Sequence, residues 1–220
     1  MLFPRLKQKL LLRLGRLIRK AENEVAKSGL PKFGNRPKNV VIELPRRIFN
    51  PRNMFLGDDI SFGPGSFLIA ITHYPTVIMQ HPDNKRITQA FNPRIEIGNR
   101  VTSTGDLQIA ATRSVVIEDD VMFAKNIYIT DSSHGFSNMK EPYKYQALER
   151  ISSVLIKQGC WIGQNVVILP GVTIGEFAII GANSVVTRSV PDRCIAVGSP
   201  AKVIKEWNKD IKGWISIENL

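Results

Sequence analysis

The stretch Ile129–Phe136, ITDSSHGF, sets one imidazole between two serines and a glycine, three residues after an aspartate, in a chain with only three histidines. Imidazole titrates near neutral pH, so His134 has the chemistry of a general base, and in its neutral form that of a metal ligand. It also suits an ordinary polar position at the mouth of a loop. Asp131 could orient the ring or stabilise its protonated form, as the carboxylate of a triad does, or could simply make a turn. The other two histidines, His73 and His81, lie in a separate proline-containing stretch with Tyr74 between them. The two cysteines, Cys160 and Cys194, stand singly in apolar contexts with no metal-ligand spacing, the pattern of buried, reduced thiols in a cytoplasmic protein.

The elements that must position these groups belong to a chain of 220 residues, 43% apolar and 22% charged, enough for one domain with a substantial core. The formal net charge of +11 favours an anionic partner, whether a phosphate ligand, an acidic glycan or a membrane surface. Nucleic acid is not expected, because aromatic and basic residues do not interleave and no recognised module is present. Residues 1–30 read as a basic amphipathic helix. Its first twenty residues hold seven cations and no acid, and Leu6, Leu10, Leu14, Leu17 and Ala21 form an apolar stripe with Arg13, Arg16 and Lys20 off it. Charges interrupt every apolar run, which leaves no signal peptide core and no membrane span. Such a helix can lie on an anionic leaflet, cap the core of the main fold, or pack on another subunit.

The strongest pattern is a six-residue period. Ile162, Ile168, Ile174, Ile180 and Val186 recur every sixth position, with Val166, Val172, Ala178 and Ser184 four places after the first four. A helix cannot keep that period on one face, because 3.6 residues per turn drifts round the cylinder, whereas a solenoid with three flat faces can. Extended outward, the column groups in threes: Leu56, Phe62, Leu68; Ile97, Ser103, Ile109; Ile117, Phe123, Ile129; Ile156, Ile162, Ile168; Ile174, Ile180, Val186. Each triplet predicts one coil of a triangular prism of parallel strands, five coils giving a height of about 24 Å. Gly98, Gly163, Gly175 and Gly181 fall at its corners, and Ser103 is the one weak member of the column. Residues 70–96 and 131–155 interrupt the period and are expected to project as loops, with His134 at the root of the second. Residues 206–220, with Trp207 and Trp214, read as a helical tail closing the end of a domain spanning 31–205.

The text WIGQNVVILPGVTIG at Trp161–Gly175, IIGANSVVTRSVP at Ile179–Pro191 and VGSPAKVIK at Val197–Lys205 resembles the left-handed parallel β-helix acyltransferases built from hexapeptide repeats. Within them it is most similar to the O-acetyltransferases of surface polysaccharides, such as those of O-antigen, colanic acid and nodulation factors. The resemblance implies a homotrimer that binds acetyl-CoA as cosubstrate between neighbouring prisms, requires no metal, and uses a loop histidine as general base. It maps that base to His134, with Asp131 as its helper. Many relatives read Asp-His-x-His-Gly here, and this chain carries a serine at the first histidine position.

For the coenzyme, the resemblance points to Trp161 and Gln164 along the pantetheine arm, Ala182 and Thr187 further down, and Arg188, Lys202 and Lys205 for the phosphates, where cations suit the ligand's charge. Trp161 and Ala182 also suit packing, and the lysines a solvated edge. A backbone N–H near Trp161 or Gly163 is the expected oxyanion donor. Galactoside and maltose acetyltransferases have an asparagine where this chain has Thr104, which argues against that simple specificity and leaves Thr104 and Asp106 as acceptor contacts. His73, Tyr74 and His81 of the first loop could reach the acceptor across a subunit boundary. The acceptor implied is a sugar or glycan, free or lipid-linked, with an amino sugar or a longer acyl donor as variants. A zinc enzyme on the same prism would need three histidines around one ion, which this distribution does not supply. A non-catalytic scaffold would keep the prism and lose the DSSHG, WIG and GSPAK stretches, all of which are intact.

Overall fold

A computed structural model describes residues 3–75 and 88–217. One helix, Phe3–Ser28, precedes a stack of short strands that the chain visits in cyclic order on three faces. The first face joins Met54–Leu56, Arg94–Ile97, Ser114–Ile117, Val154–Ile156 and Thr173–Ile174. The second runs through Val41–Ile42, Ser61–Phe62, the starts of Thr102–Ala111 and Met122–Thr130, then Trp161–Ile162, Ile179–Ile180 and Cys194–Gly198. The third holds Arg47–Phe49, Phe67–Ala70, the ends of the same two long strands, Val167–Ile168 and Val185–Val186. Every pairing among these strands is parallel.

The registers put the periodic aliphatics in vertical columns. Leu56, Ile97, Ile117, Ile156 and Ile174 are successive partners on the first face, and Leu68, Ile109, Ile129, Ile168 and Val186 on the third. All are buried, because each inward position meets the same position one coil above and below. The weak position, Ser103, lies between Phe62 and Phe123 on the second face. Two fully buried rings fill the space its short side chain leaves, and its hydroxyl accepts the Gly105 N–H at 3.2 Å.

The prism is longer than the five expected coils. Ile42 and Ile48 begin the second and third faces one coil earlier, and Ala196 extends the second one coil later. Ile42 and Ile48 do keep a six-residue spacing, but the 3-10 turn Pro51–Asn53 breaks the count before Leu56.

The corner between the second and third faces is built by Asp106, Asn126, Asn165 and Asn183, with φ of 50°, 62°, 58° and 60°. Short polar side chains tolerate this left-handed conformation, and here they also form a ladder. Asn126 Nδ2 donates to Asn165 Oδ1 at 2.9 Å, and Asn165 Nδ2 to Asn183 Oδ1 at 2.8 Å.

At the ends of the chain one expectation is corrected and one alternative removed. The C-terminal segment is not helical as far as it is described: Ala201–Asn208 runs antiparallel to Cys194–Gly198 and turns back into Gly213–Ser216. β-branched and aromatic residues favour the pleated surface, and Trp207 and Trp214 are direct cross-strand partners with ring centroids 5.5 Å apart. The Asn208 carboxamide holds the turn by accepting the N–H groups of Asp210 and Ile211.

The N-terminal helix does not cap the core. Its stripe residues Leu6, Leu10, Leu14 and Leu17 remain 52–69% exposed, and Ala26 is its buried foothold. Arg46 fastens its C-terminal end, donating to the carbonyls of Ala26 at 3.0 Å and Gly29 at 2.7 Å and to that of Ile42 in the first coil. A guanidinium thereby satisfies carbonyls that a helix end leaves without partners. This helix is not apolar enough to cross a membrane.

Candidate active site

Both interruptions leave the third face at the same edge. Phe67–Ala70 leads into an arm bounded by the antiparallel pair His73–Tyr74 and Gln89–Ala90; His81 lies outside the described residues. Met122–Thr130 leads into a second arm bounded by Ser133–His134 and Leu148–Glu149, with His134 paired to Leu148. Between the arms and the third face opens a cleft of about 1210 Å³. Its floor is apolar, formed by Phe67, Ile69, Tyr128 and Leu169, and its walls carry Tyr74, His134, Phe136 and Arg150.

Among the described residues the arms are joined at two points. Gln89, the strand partner of Tyr74, grips the main chain of Leu148 from both sides: its Nε2 donates to the carbonyl at 3.1 Å and its Oε1 accepts the N–H at 2.7 Å. The Tyr74 hydroxyl lies 2.9 Å from His134 Nδ1 and 2.9 Å from the Lys144 carbonyl oxygen. Tyr74, Gln89, Leu148 and His134 thus close a circuit around the imidazole. Nε2 of His134 has no hydrogen bond among the described residues, and the side chain is exposed to the cleft. Burial pushes the Tyr74 phenol up from its ordinary value, so it stays protonated across the physiological range.

Asp131 does not touch the ring. It is fully buried, and its two carboxylate oxygens accept the N–H groups of Thr112, Arg113 and Ser114 at 2.6–2.7 Å. Those three donors sit at the turn between the third and first faces of the coil above, so Asp131 fastens the root of the arm. The carboxylate is committed to the backbone, and the expected pairing with His134 gives way to Tyr74. The N–H groups of Trp161 and Gly163 themselves belong to the coil ladder: that of Trp161 goes to the Ala178 carbonyl at 3.0 Å and that of Gly163 to Ile180 at 2.8 Å.

The remaining candidates divide into two groups. Thr187 and His73 line the cleft with His134; His73 is exposed, its Nδ1 3.2 Å from the Thr72 hydroxyl. Tyr74 also lines it, largely buried, with its hydroxyl between His134 Nδ1 and the Lys144 carbonyl oxygen. Arg188, next to Thr187, is exposed. The second group lies on the second face and its corner, away from the cleft. Trp161 is 48% exposed there, stacked over Ile179, with Ile195 below and Lys205 beside Ile195. Gln164 and Ala182 occupy the asparagine corner, and Lys202 pairs with Val197. Thr104 and Asp106 lie on that same corner, Asp106 facing Lys125 at 3.4 Å. One chain therefore does not bring Thr104, Asp106 or Trp161 to His134. Among the described residues, no group of three His, Cys, Asp or Glu side chains could hold a metal ion.

Residues 153–188 match the family model for the bacterial transferase hexapeptide (six repeats). The chain is 40% identical over 131 residues to an Escherichia coli protein named as an O-acetyl transferase of lipopolysaccharide biosynthesis, WbbJ, covering 56% of this chain and 63% of that one. It is 33% identical over 123 residues to the galactoside O-acetyltransferase of the same organism, covering 54% and 57%. The chain thus spans less than two thirds of the length of either relative. The fold is that of a Bacillus cereus N-acyltransferase, AntD, solved as a variant with dTDP and coenzyme A, at a TM-score of 0.60 and 21% identity over 86% of this chain and 90% of that one. A hexapeptide-repeat containing acetyltransferase from Vibrio cholerae gives a TM-score of 0.52 at 18% identity, covering 92% and 93%. Residues 153–188 thus carry the hexapeptide repeat of bacterial transferases, and the chain is similar over about half its length to proteins named as O-acetyltransferases.

Proposed function

We propose that the protein is an acetyl-CoA-dependent O-acetyltransferase acting on a sugar hydroxyl, with surface polysaccharide biosynthesis as its setting. The observation that carries this reading is His134 on the wall of an apolar-floored cleft, its Nδ1 engaged by Tyr74 and its Nε2 without a partner among the described residues. The acceptor oxygen attacks the thioester carbonyl carbon as its proton passes to Nε2. The tetrahedral adduct collapses with cleavage of the carbon–sulfur bond, and the imidazolium returns a proton to the leaving thiolate, so no covalent enzyme intermediate is needed. The names of the relatives favour oxygen as the acceptor atom.

The division of the candidates between two faces supports a homotrimer, and the resemblance implies that its coils are left-handed. In it the Trp161 face of one prism would stand opposite the cleft of its neighbour, and acetyl-CoA would lie between them. Exposed apolar side chains on both faces, Trp161 and Met122 on one and Tyr128 and Phe49 on the other, favour burial against a second copy. Arg188 and Lys202 are exposed and suit the coenzyme's phosphates. The bare leucine stripe of the N-terminal helix, beside seven cations, favours a cytoplasmic protein held at an anionic membrane face, where a lipid-linked acceptor would be presented.

The test is coenzyme A release from acetyl-CoA with a panel of nucleotide sugars, amino sugars and surface oligosaccharides, comparing the wild type with His134→Ala. The expected outcome is acceptor-dependent turnover that falls by about 10²–10⁴ in the variant while acetyl-CoA still binds. An N-acetylated product would move the acceptor to an amino sugar. Turnover that survives the substitution would overturn the mechanism, and failure of the wild type to bind acetyl-CoA would favour a scaffold.

A further inference from the structure

We propose that Tyr74 is a positioning residue that fixes the tautomer of His134, so that the lone pair sits on Nε2. This deepens the assignment of His134 as base and rests on it. A phenol has a single O–H to donate, and its oxygen can accept. The Lys144 carbonyl oxygen, 2.9 Å from the Tyr74 hydroxyl, can only accept, so the phenolic proton is directed there. The 2.9 Å contact with His134 Nδ1 must then run the other way, with Nδ1–H donating to the phenolic oxygen. A neutral imidazole protonated at Nδ1 is unprotonated at Nε2, the nitrogen without a partner among the described residues. When Nε2 takes a proton the Nδ1–H bond persists, so the base turns over without reorienting. A buried carboxylate usually supplies this constraint in triads. Here Asp131 is committed to three backbone donors, and a carbonyl acting through a phenol takes its place. The device needs both arms, since Tyr74 belongs to the first and both His134 and Lys144 to the second.

The phenol is held for this role. Tyr74 is 5% exposed, and its ring meets the His134 ring edge to face, with centroids 5.5 Å apart and planes at 67°. The grip of Gln89 on Leu148 fixes the strand that pairs with the one carrying His134.

The experiment is nitrogen-15 NMR of the imidazoles in the full chain, with kinetics of Tyr74→Phe alongside. Three histidines make assignment by single His→Gln variants direct. In the wild type His134 should show a protonated Nδ1 and an unprotonated Nε2. In Tyr74→Phe, which keeps the ring, the signals should move toward the opposite tautomer. Its kcat should fall about tenfold or more with the KM values little changed, a part of the effect of losing the base altogether. A wild-type His134 protonated at Nε2 overturns the inference, as does a Tyr74→Phe protein with unchanged tautomer and kcat. An acceptor KM raised alone would return Tyr74 to the acceptor site. Failure of the base assignment is read separately, from His134→Ala retaining turnover while the wild-type tautomer is as described.

Discussion

At the scale of single residues, Asp131 and Tyr74 exchange the roles that chain order suggests. Asp131 is three positions from His134 and was the natural partner in the sequence; Tyr74 is sixty positions away, yet its hydroxyl is the group in contact. The geometry makes Asp131 a structural carboxylate. Its replacement by asparagine loses charge-assisted bonds and turns an amide donor toward backbone N–H groups, so Asp131→Asn should lose about 2–3 kcal/mol of stability in denaturant unfolding. The pH dependence of kcat should stay where the wild type has it; a displaced profile would restore Asp131 as the helper of the base. His134 itself was legible because ionisable side chains beside a repeat stand out from its apolar rhythm. Its partner was not, because hydrogen bonds between two insertions leave no periodic trace.

At the scale of elements, the coils were legible and the ends were not. Each inward position must be apolar in every coil, so the period survives substitution, and even Ser103 keeps its place because Phe62 and Phe123 fill around it. The terminal hairpin has no repeat to betray it; its register depends on the Trp207–Trp214 pair and on a turn held by the Asn208 side chain. The N-terminal helix was legible as an amphipathic helix, but only the structure shows the stripe to be bare within one chain. Replacing Leu6, Leu10, Leu14 and Leu17 together by serine should therefore leave the thermal midpoint of the prism unchanged while abolishing sedimentation with anionic vesicles. A lowered midpoint or a dissociated oligomer would instead show that the stripe packs on a second copy.

At the scale of the whole molecule, the buried aliphatic positions make the core one continuous apolar column, and Cys160 reports on it. The thiol is buried, donates to the Gly175 carbonyl at 2.9 Å, and is pushed up by burial from 9.0 to about 12. A native value above the unfolded one gives stability that is fully present below pH 9 and is lost as the pH rises toward 12, because only the unfolded chain ionises readily in that interval. Urea titrations from pH 8 upward should show stability falling in this window, and less steeply in Cys160→Ala; parallel slopes in the two proteins would refute the assignment. The joined arms have a further consequence for anyone wishing to redirect the specificity of such a protein. Because Tyr74 and Gln89 on one arm hold His134 and Leu148 on the other, the two insertions behave as one exchangeable cassette. A chimera that imports a single loop from a relative would orphan the imidazole it was meant to serve, whereas transplanting the pair would carry the base, its orientation and the cleft wall together.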